Sequence, residues 1–209
     1  MENNLIKNTD YYTNRRDDLI SLVENFEFKS ILEIGGGRFD TLKYLSKSKG
    51  RSGVGVDPAS FSTQSEDNCR FYNSVFDRDF IDNNIDGEKF DLVIAGDVLE
   101  HILDTELFFQ NVSAVLNEKG LVLISVPNIR QIRALFQIFI KGTFPRNETG
   151  LFDDTHLRWF CKSDLISYAE RYSFSVVEHR YVGKYANRLI PNIVNEFLAL
   201  QNIFLLKQR

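Results

Sequence analysis

Cysteine is scarce in this chain, and no hydrophobic run reaches the length of a membrane-spanning helix. Among 209 residues there are two cysteines, Cys69 and Cys161, and no CxxC pair. That spacing fits neither a disulfide framework nor a zinc site, so we expect both thiols to be reduced core residues. Residues 1–12 lack the apolar segment of a signal peptide. The sequence therefore predicts a cytoplasmic protein.

A surplus of positive charge is also missing. The chain has 25 Lys and Arg against 29 Asp and Glu, a formal net charge of −4, so we expect no nucleic-acid partner. Hydrophobic residues reach 43% and aromatic residues 13%, which suffices for a packed core and for a pocket that takes a flat ligand. At this length we expect one domain.

Short β-branched runs alternate with longer amphipathic stretches, a pattern typical of a doubly wound sheet. The predicted strands cover residues 30–34, 53–57, 70–73, 90–95, 121–126, 174–182 and 200–206. The predicted helices cover residues 12–26, 39–47, 107–116, 129–140 and 163–172, with a turn over 117–120. The expected fold class is α/β: a doubly wound, Rossmann-like sheet of seven mostly parallel strands, with an antiparallel last strand and helices on both faces.

A glycine-rich turn, Gly35 to Gly37, follows the first predicted strand. Asp57 ends the second strand, at the spacing of an acid that binds a ribose diol. Asp40 stands where a dinucleotide fingerprint needs its third glycine, and Glu33 would repel a diphosphate but attract a cation. The turn therefore favours a sulfonium nucleoside with a free ammonium; an ordinary tight turn is the alternative.

Several segments resemble, in order, the motifs of the class I S-adenosylmethionine-dependent methyltransferases. They are ILEIGGG at 31–37, GVGVDP at 53–58, FDLVIAGDVLEHI at 90–102 and LNEKGLVLISVPN at 116–128. YY-xxx-R-x-DL at 11–19 and D-x-THLR at 153–158 resemble a bacterial subgroup associated with glycan, lipid and quinone biosynthesis. Two positions depart from the family's pattern. Phe39 stands where the family often has a glycine, and Gly36 stands where the family often has Cys or Ala. The resemblance leaves open whether Phe39 crowds the methionine end of the pocket.

The resemblance implies S-adenosylmethionine as the cofactor. It would place Glu33 and the glycines at the methionine moiety, Asp57 at the ribose and Asp97 near the transferring methyl. A solvated acid is the alternative for Asp77, and a core position is the alternative for Tyr12. The implied cofactor-binding residues are Tyr12, Glu33, Gly35, Gly36, Gly37, Asp57, Pro58, Val75, Phe76, Asp77, Gly96 and Asp97.

Two histidines stand on the expected acceptor side. Oxygen methylation benefits from a nearby base, and imidazole titrates near neutrality. His101 follows the fourth strand, at the sheet edge where such folds bind ligands, unless it caps the next helix. His156 lies in the D-x-THLR segment, where a bond to a loop carbonyl is the alternative. We take His156 and His101 as candidate catalytic residues and expect His179 at the surface.

The spacing of Asp97, Glu100 and His101 also resembles an acidic-histidine cluster that holds a divalent metal in some quinone and RNA methyltransferases. The Glu-His pair is common at this place in the family without a metal, so the sequence predicts none. Residues 129–144 mix basic and apolar side chains. This pattern fits a substrate lid, a peripheral membrane contact or a buried insertion helix.

The resemblance thus implies a methyltransferase that acts by in-line displacement on an oxygen of a sugar, a lipid-linked glycan or a small aromatic acceptor. One domain, 1–209, would comprise a lid helix (1–28), a cofactor-binding core (29–127), an acceptor-side insertion (128–160) and a C-terminal completion of the sheet (161–209). A partner protein that binds the cofactor without catalysis is one alternative. An NAD-dependent oxidoreductase is the other, which the charges of Glu33 and Asp40 oppose.

Overall fold

The computed structural model describes residues 15–59, 65–66, 68–186 and 189–209. The strands are β1 (Ser30–Ile34), β2 (Ser52–Val56), β3 (Cys69–Tyr72), β4 (Phe90–Gly96), β5 (Leu116–Pro127), β6 (Phe174–Val182) and β7 (Gln201–Gln208). The α-helices are α1 (Asp17–Val23), α2 (Asp40–Lys49), α3 (Arg78–Asn84), α4 (Thr105–Val115), α5 (Ile132–Leu135), α6 (Lys162–Arg171) and α7 (Asn192–Leu198). A 3-10 turn covers Leu99–His101, and a π-helical turn covers Phe136–Ile140.

All seven strands form one sheet in the order β3-β2-β1-β4-β5-β7-β6. Strand β7 runs antiparallel to both β5 and β6, while the other pairings are parallel. The predicted fold class is therefore confirmed. The strand order reverses between β1 and β4, and such a switch point opens a crevice at the carboxyl ends of the strands.

Strand β4 shows why the apolar runs are continuous. Val93 and Ala95 belong to the core on one face of the sheet, while Leu92 and Ile94 belong to the core on the other face. Successive side chains of a strand point to opposite faces, so a strand covered by helices on both sides needs apolar residues at every position. Its buried run ends at Gly96, at the crevice.

Some element boundaries differ from the sequence prediction. The turn expected over 117–120 lies within β5, where the pairing with β4 shifts register between Phe90 and Leu92. Helix α3 was not predicted; its N-cap is Asp77, whose carboxylate accepts the Phe80 amide proton at 2.8 Å. In the described residues, no helix combines the length and apolarity needed to cross a bilayer.

Candidate active site

Two cavities open at the carboxyl ends of β1, β2 and β4. The larger, about 570 Å³, extends from Asp57 to α4, and the smaller, about 400 Å³, lies between the glycine turn and α1. Ile34, Gly35 and Asp97 line both cavities. The crevice is therefore continuous, with one end of mainly apolar lining and one end whose lining includes the charged residues Arg16, Glu33, Asp40 and Asp97.

The glycine turn has no room for side chains. Gly35 has a φ of +70°, and a Cβ at Gly36 would lie 2.7 Å from the Glu33 carboxyl carbon and 2.5 Å from the Phe39 ring. Phe39 is fully buried and stacks on Phe71, with ring centroids 5.1 Å apart. The Phe39 ring thus supports the turn from the core and does not line either cavity. The ring therefore does not crowd the smaller cavity, but its position beside the turn requires glycine at position 36.

Asp57 ties the glycine turn to the end of β2. Its carboxylate accepts the amide protons of Gly37 and Ala59, both at 2.7 Å. The side chain is 6% exposed and lines the larger cavity, as does the exposed Pro58. A carboxylate accepts about four hydrogen bonds in total, so Asp57 keeps acceptor capacity for a ligand hydroxyl.

Glu33 lies beneath the same turn, on the wall of the smaller cavity. Its carboxylate accepts the Leu42 amide proton at 3.1 Å. Burial, which outweighs that hydrogen bond, raises the pKa of Glu33 to about 8, and the nearby carboxylates of Asp40 and Asp57 act in the same direction. A cationic ligand would therefore find a carboxyl group that ionises readily once the ligand supplies the compensating charge.

Asp97 ends β4 with a left-handed backbone, at a φ of +57°. Its side chain accepts bonds from Ser125 Oγ at 3.1 Å and Gln201 Nε2 at 2.8 Å. Arg16 Nη1 donates to the other carboxylate oxygen. Sequence reasoning missed Arg16 and Gln201 as site residues. Arg16 is the arginine of the YY-xxx-R-x-DL motif, which was a usable signal, whereas Gln201 comes from a distant strand with no local pattern.

The other implied cofactor residues fall on the same two cavities, apart from Tyr12, which lies outside the described residues. Val75, Phe76 and Asp77 line the larger cavity, although Asp77 also caps α3. Gly96 lines the smaller cavity. A Cβ at Gly96 would lie 3.0 Å from Leu19 of α1, so the strand end and that helix pack closely.

The two candidate catalytic histidines are in contact, with ring centroids 4.8 Å apart and planes at 73°. His101 lines the larger cavity, and its Nδ1 lies 3.2 Å from Thr155 Oγ1. His156 is 4% exposed, behind His101, and its Nδ1 lies 3.0 Å from the carbonyl oxygen of Leu151. The hydrogen bond to a loop carbonyl that stood as the alternative for His156 is therefore present.

Glu100 completes this group and was not expected as a site residue. Its side chain is 1% exposed, and neither carboxylate oxygen has a hydrogen-bond partner among the residues that the structure describes. Burial, with the nearby Asp97 carboxylate acting the same way, raises the pKa of Glu100 well above its usual range. His179 was expected at the surface, but it is partly buried: its ring packs against Phe204, and its Nε2 lies 3.0 Å from Asn202 Oδ1 on the neighbouring strand β7.

The insertion after β5 exposes its apolar side chains. Only Ala134 is buried in the run formed by α5 and the following π-helical turn. The structure thus contradicts the alternative of a buried insertion helix. We call the exposed set the apolar insertion face; it consists of Ile132, Phe136, Phe139, Ile140 and Phe144.

Comparison with known proteins gives one family and many related folds. A family model that describes a methyltransferase domain matches residues 10–179. No curated protein matches the chain significantly. Three related solved structures are each at most 18% identical to this chain, so their likeness shows the fold alone.

A SAM-dependent methyltransferase from Archaeoglobus fulgidus is 18% identical, with a TM-score of 0.60 over 91% of each chain. The 1,6-didemethyltoxoflavin-N1-methyltransferase of Burkholderia thailandensis, solved with 1,6-didemethyltoxoflavin and S-adenosylhomocysteine, is 16% identical, with a TM-score of 0.60 over 91% of this chain and 75% of that one. The magnesium protoporphyrin IX methyltransferase of Synechocystis, solved with S-adenosylhomocysteine, is 15% identical, with a TM-score of 0.59 over 92% of this chain and 80% of that one.

Proposed function

The chain belongs to the methyltransferase-domain family, and from that premise we propose that it transfers a methyl group from S-adenosylmethionine to an oxygen of a sugar, a lipid-linked glycan or a small aromatic acceptor. The observation that carries this proposal is the continuous crevice, which joins a charged cavity to an apolar one at Gly35 and Asp97. S-adenosylmethionine has the same division, with an amino-acid end and a nucleoside end.

The smaller cavity fits the amino-acid end of this cofactor. An α-amino acid group carries an ammonium and a carboxylate. The lining of the cavity includes carboxylates, which can pair with the ammonium, and a guanidinium, which can pair with the carboxylate. Glu33 and Asp97 would take the ammonium, and Arg16 would take the carboxylate. Gly35, Gly36 and Gly37 line this cavity without side chains, so the ligand can approach their backbone closely.

The larger cavity fits the nucleoside end. Asp57 would accept bonds from the ribose hydroxyls, as an acid at the end of the second strand does in related folds. Pro58, Val75 and Phe76 offer apolar surface for the adenine, and the carboxylate of Asp77 would accept from its amino group. These assignments are a proposal that the crevice geometry supports.

The bound cofactor supplies an electrophilic methyl group on a sulfonium, whose departure leaves a neutral thioether. The protein must therefore mainly align the acceptor and help to remove its proton. We assign that assistance to the pair formed by His101 and His156. His101 lines the cavity and would contact the acceptor side, while the buried His156 positions it.

The test of this acceptor class is transfer of a radiolabelled methyl group to a panel of sugars, lipid-linked glycans and phenols. The proposal predicts label in O-methyl products and formation of S-adenosylhomocysteine. His101→Ala should lower the turnover by about 100-fold or more, the usual effect of losing such assistance, with little change in cofactor affinity. Label that enters only nitrogen or carbon acceptors would contradict the proposed acceptor atom.

Neither alternative function is favoured by a structural observation. Binding without catalysis was suggested by Phe39, but its ring lies in the core and leaves the crevice open. An NAD-dependent oxidoreductase would have to place a diphosphate beside Glu33 and Asp40, which line the smaller cavity. The carboxylates oppose that placement.

We also propose that the apolar insertion face contacts a membrane surface peripherally. Phe139 is 76% exposed and Ile140 is 71% exposed, and Arg133, Lys141 and Arg146 lie in the same segment. Exposed apolar side chains flanked by basic ones match an interface with anionic lipid. Such a contact would bring the crevice to a lipid-linked acceptor.

A further inference from the structure

A cluster of three potential metal ligands lies at the acceptor end of the crevice. Glu100, His101 and His156 each offer one ligand atom, and these atoms all lie within 4.8 Å of one another. Two of the residues belong to the turn after β4, and the third comes from the loop before α6. The backbone also joins these segments, because the Glu100 carbonyl accepts the amide protons of Leu157 and Arg158.

The carboxylate of Glu100 points to a ligand. The side chain is 1% exposed, and within the described part of the chain neither of its oxygens has a hydrogen-bond partner. A buried polar group without a partner is costly, so buried polar atoms in native proteins are nearly always paired. The charged groups that act electrostatically on Glu100 are the carboxylates of Asp97 and Asp153 and the guanidinium of Arg16. A cation held between Glu100 and the two imidazoles would satisfy the carboxylate.

Both imidazoles are oriented as metal-binding histidines usually are. Nδ1 of His156 lies 3.0 Å from the Leu151 carbonyl oxygen, and Nδ1 of His101 lies 3.3 Å from the Thr155 carbonyl oxygen. Carbonyl oxygens only accept, so each Nδ1 carries the proton and Nε2 is the ring nitrogen of the type that binds a metal. Histidines that bind metals typically donate their other ring proton to a carbonyl or a carboxylate in this way.

A second layer of contacts holds this arrangement. Thr155 is fixed by Asp153, which accepts its amide proton at 2.9 Å and its hydroxyl proton at 2.6 Å. Asp153 is itself 1% exposed. The position of the His101 ring is therefore set by a buried carboxylate acting through Thr155.

We propose that Glu100, His101 and His156 form a binding site for a divalent transition metal of the zinc class. Two imidazole nitrogens and one carboxylate oxygen suit zinc and its first-row neighbours, whereas magnesium and calcium take mainly oxygen ligands. Three protein ligands leave a coordination position open. Because His101 lines the larger cavity, that position opens toward the acceptor side.

The site gives the proposed methyl transfer, on which this part of the inference rests, a specific chemistry. His101 and His156 would then assist deprotonation of the acceptor by holding the ion, and not by accepting the proton themselves. An acceptor hydroxyl at the open position would lose its proton to solvent more easily, since a bound divalent ion lowers the pKa of such an oxygen. The new bond joins that oxygen to the methyl carbon, and the bond from the methyl carbon to sulfur breaks. The products are an O-methyl acceptor, S-adenosylhomocysteine and one proton.

The test is metal binding by the full chain without cofactor or acceptor. Tag-free protein, stripped with a chelator and dialysed, is titrated with Zn²⁺ by calorimetry and with Co²⁺ by visible absorption. The site predicts one saturable equivalent of each ion and a visible cobalt band of low-coordinate geometry. Glu100→Gln and His156→Gln should each weaken Zn²⁺ binding by about 100-fold or more, beyond the effect of losing an outer contact.

Matched controls separate the site from adventitious binding. Asp154→Asn removes an exposed carboxylate beside the cluster, and His179→Gln removes an imidazole that belongs to β6. Both should bind Zn²⁺ like the wild type. Thermal melts establish that each variant is folded, and the less buried His101→Gln serves as a third ligand variant should His156→Gln not fold.

The outcomes also distinguish the site from the proposed function. No saturable uptake of Zn²⁺ or Co²⁺, or uptake that survives Glu100→Gln and His101→Gln, would overturn the metal site. Chelator-stripped protein that methylates its acceptor at the full rate would overturn the catalytic role of the ion and leave the methyltransferase intact. Protein that takes up Zn²⁺ but never binds S-adenosylmethionine would overturn the proposed function and leave the site.

Discussion

Arg16 and Asp97 are bonded at 2.5 Å, which joins the start of α1 to the end of β4 across 81 positions of the chain. Asp97 has a left-handed backbone at the point where the two cavities meet. A residue other than glycine holds such a conformation only when its surroundings fix it, and this state is common at functional sites. Here the surroundings include Ser125 and Gln201, so four separate segments converge on the junction.

Arg16→Ala should weaken S-adenosylmethionine binding by about 10- to 100-fold, a loss of about 1.4 to 2.8 kcal/mol. The reason is that Arg16 is the cation that we assign to the cofactor carboxylate, and it also holds Asp97. Calorimetry measures the change. Arg15→Ala is the matched control, because Arg15 pairs with the exposed Asp17 and lines neither cavity. Equal affinities for the two variants would remove Arg16 from the site.

Gly36 and Phe39 should be energetically coupled. Gly36→Ala places a methyl group 2.5 Å from the Phe39 ring and should lower the free energy of unfolding by about 1 to 3 kcal/mol, the usual cost of overpacking. In a Phe39→Gly background the clash with the ring is gone and only the contact with the Glu33 carboxyl group at 2.7 Å remains, so the same change should cost less than it does beside Phe39. Urea unfolding of the two single variants and the double variant measures the coupling. Additive effects would show that the two positions do not interact.

The ionisation of Glu33 should make stability depend on pH. Burial raises its pKa to about 8 from an ordinary value of 4.5, so between these values the folded protein holds a proton that the unfolded chain has lost. Stability from this group is complete below about pH 4.5 and falls as the pH rises toward 8, by at most about 1.4 kcal/mol per pH unit. Asp40 and Asp57 act in the same direction as burial, and Arg16 opposes them.

Glu33→Gln should flatten this dependence and raise the stability at pH 8 relative to the wild type. A glutamine keeps an oxygen that accepts the Leu42 amide proton. Urea unfolding at pH 5, 6.5 and 8 measures the effect, with Glu24→Gln at the exposed end of α1 as the control. A variant with the same pH profile as the wild type would show that Glu33 is ionised in the folded protein.

The apolar insertion face should bind anionic vesicles. Wild-type protein is expected to sediment with vesicles rich in phosphatidylglycerol. The double change Phe139→Ser and Ile140→Ser should reduce the bound fraction by about 10-fold, because each change removes apolar area that the lipid would bury. Val177→Ser is the control, because this exposed valine belongs to β6 and shares a pocket with Phe26 and Lys207, outside the insertion. Wild-type protein that never sediments would contradict the membrane contact.

The regular part of the fold could be predicted from local pattern. The strand over 30–34 was predicted at its observed bounds, and the predicted strand over 90–95 ends one residue before β4 does. Both could be predicted because a strand covered on both faces has a continuous run of apolar residues in the sequence. Helix α3 was missed because its seven residues carry only two buried side chains, Phe80 and Ile81, too few for a helical period.

Residues that line the crevice could be anticipated from the sequence where motifs are local, and not where the chain folds back on itself. Glu33, the glycine turn and Asp57 lie at strand ends that a sequence motif marks. Gln201 reaches the crevice only because β7 inserts between β5 and β6. The contact between His101 and His156 likewise depends on a loop pairing that no spacing along the sequence reveals.

The most direct test of the central claim is calorimetric titration of the chain with S-adenosylmethionine, S-adenosylhomocysteine and NAD. We predict saturable binding of the first two at one site per chain and none of NAD. Asp57→Asn should weaken the binding of both sulfur ligands by about 10-fold or more, because it removes the charge of the carboxylate assigned to the ribose hydroxyls. Asp79→Asn, on the exposed face of α3, should have no effect. Absence of binding by both sulfur ligands, or saturable binding of NAD in their place, would contradict the assignment of the crevice to S-adenosylmethionine.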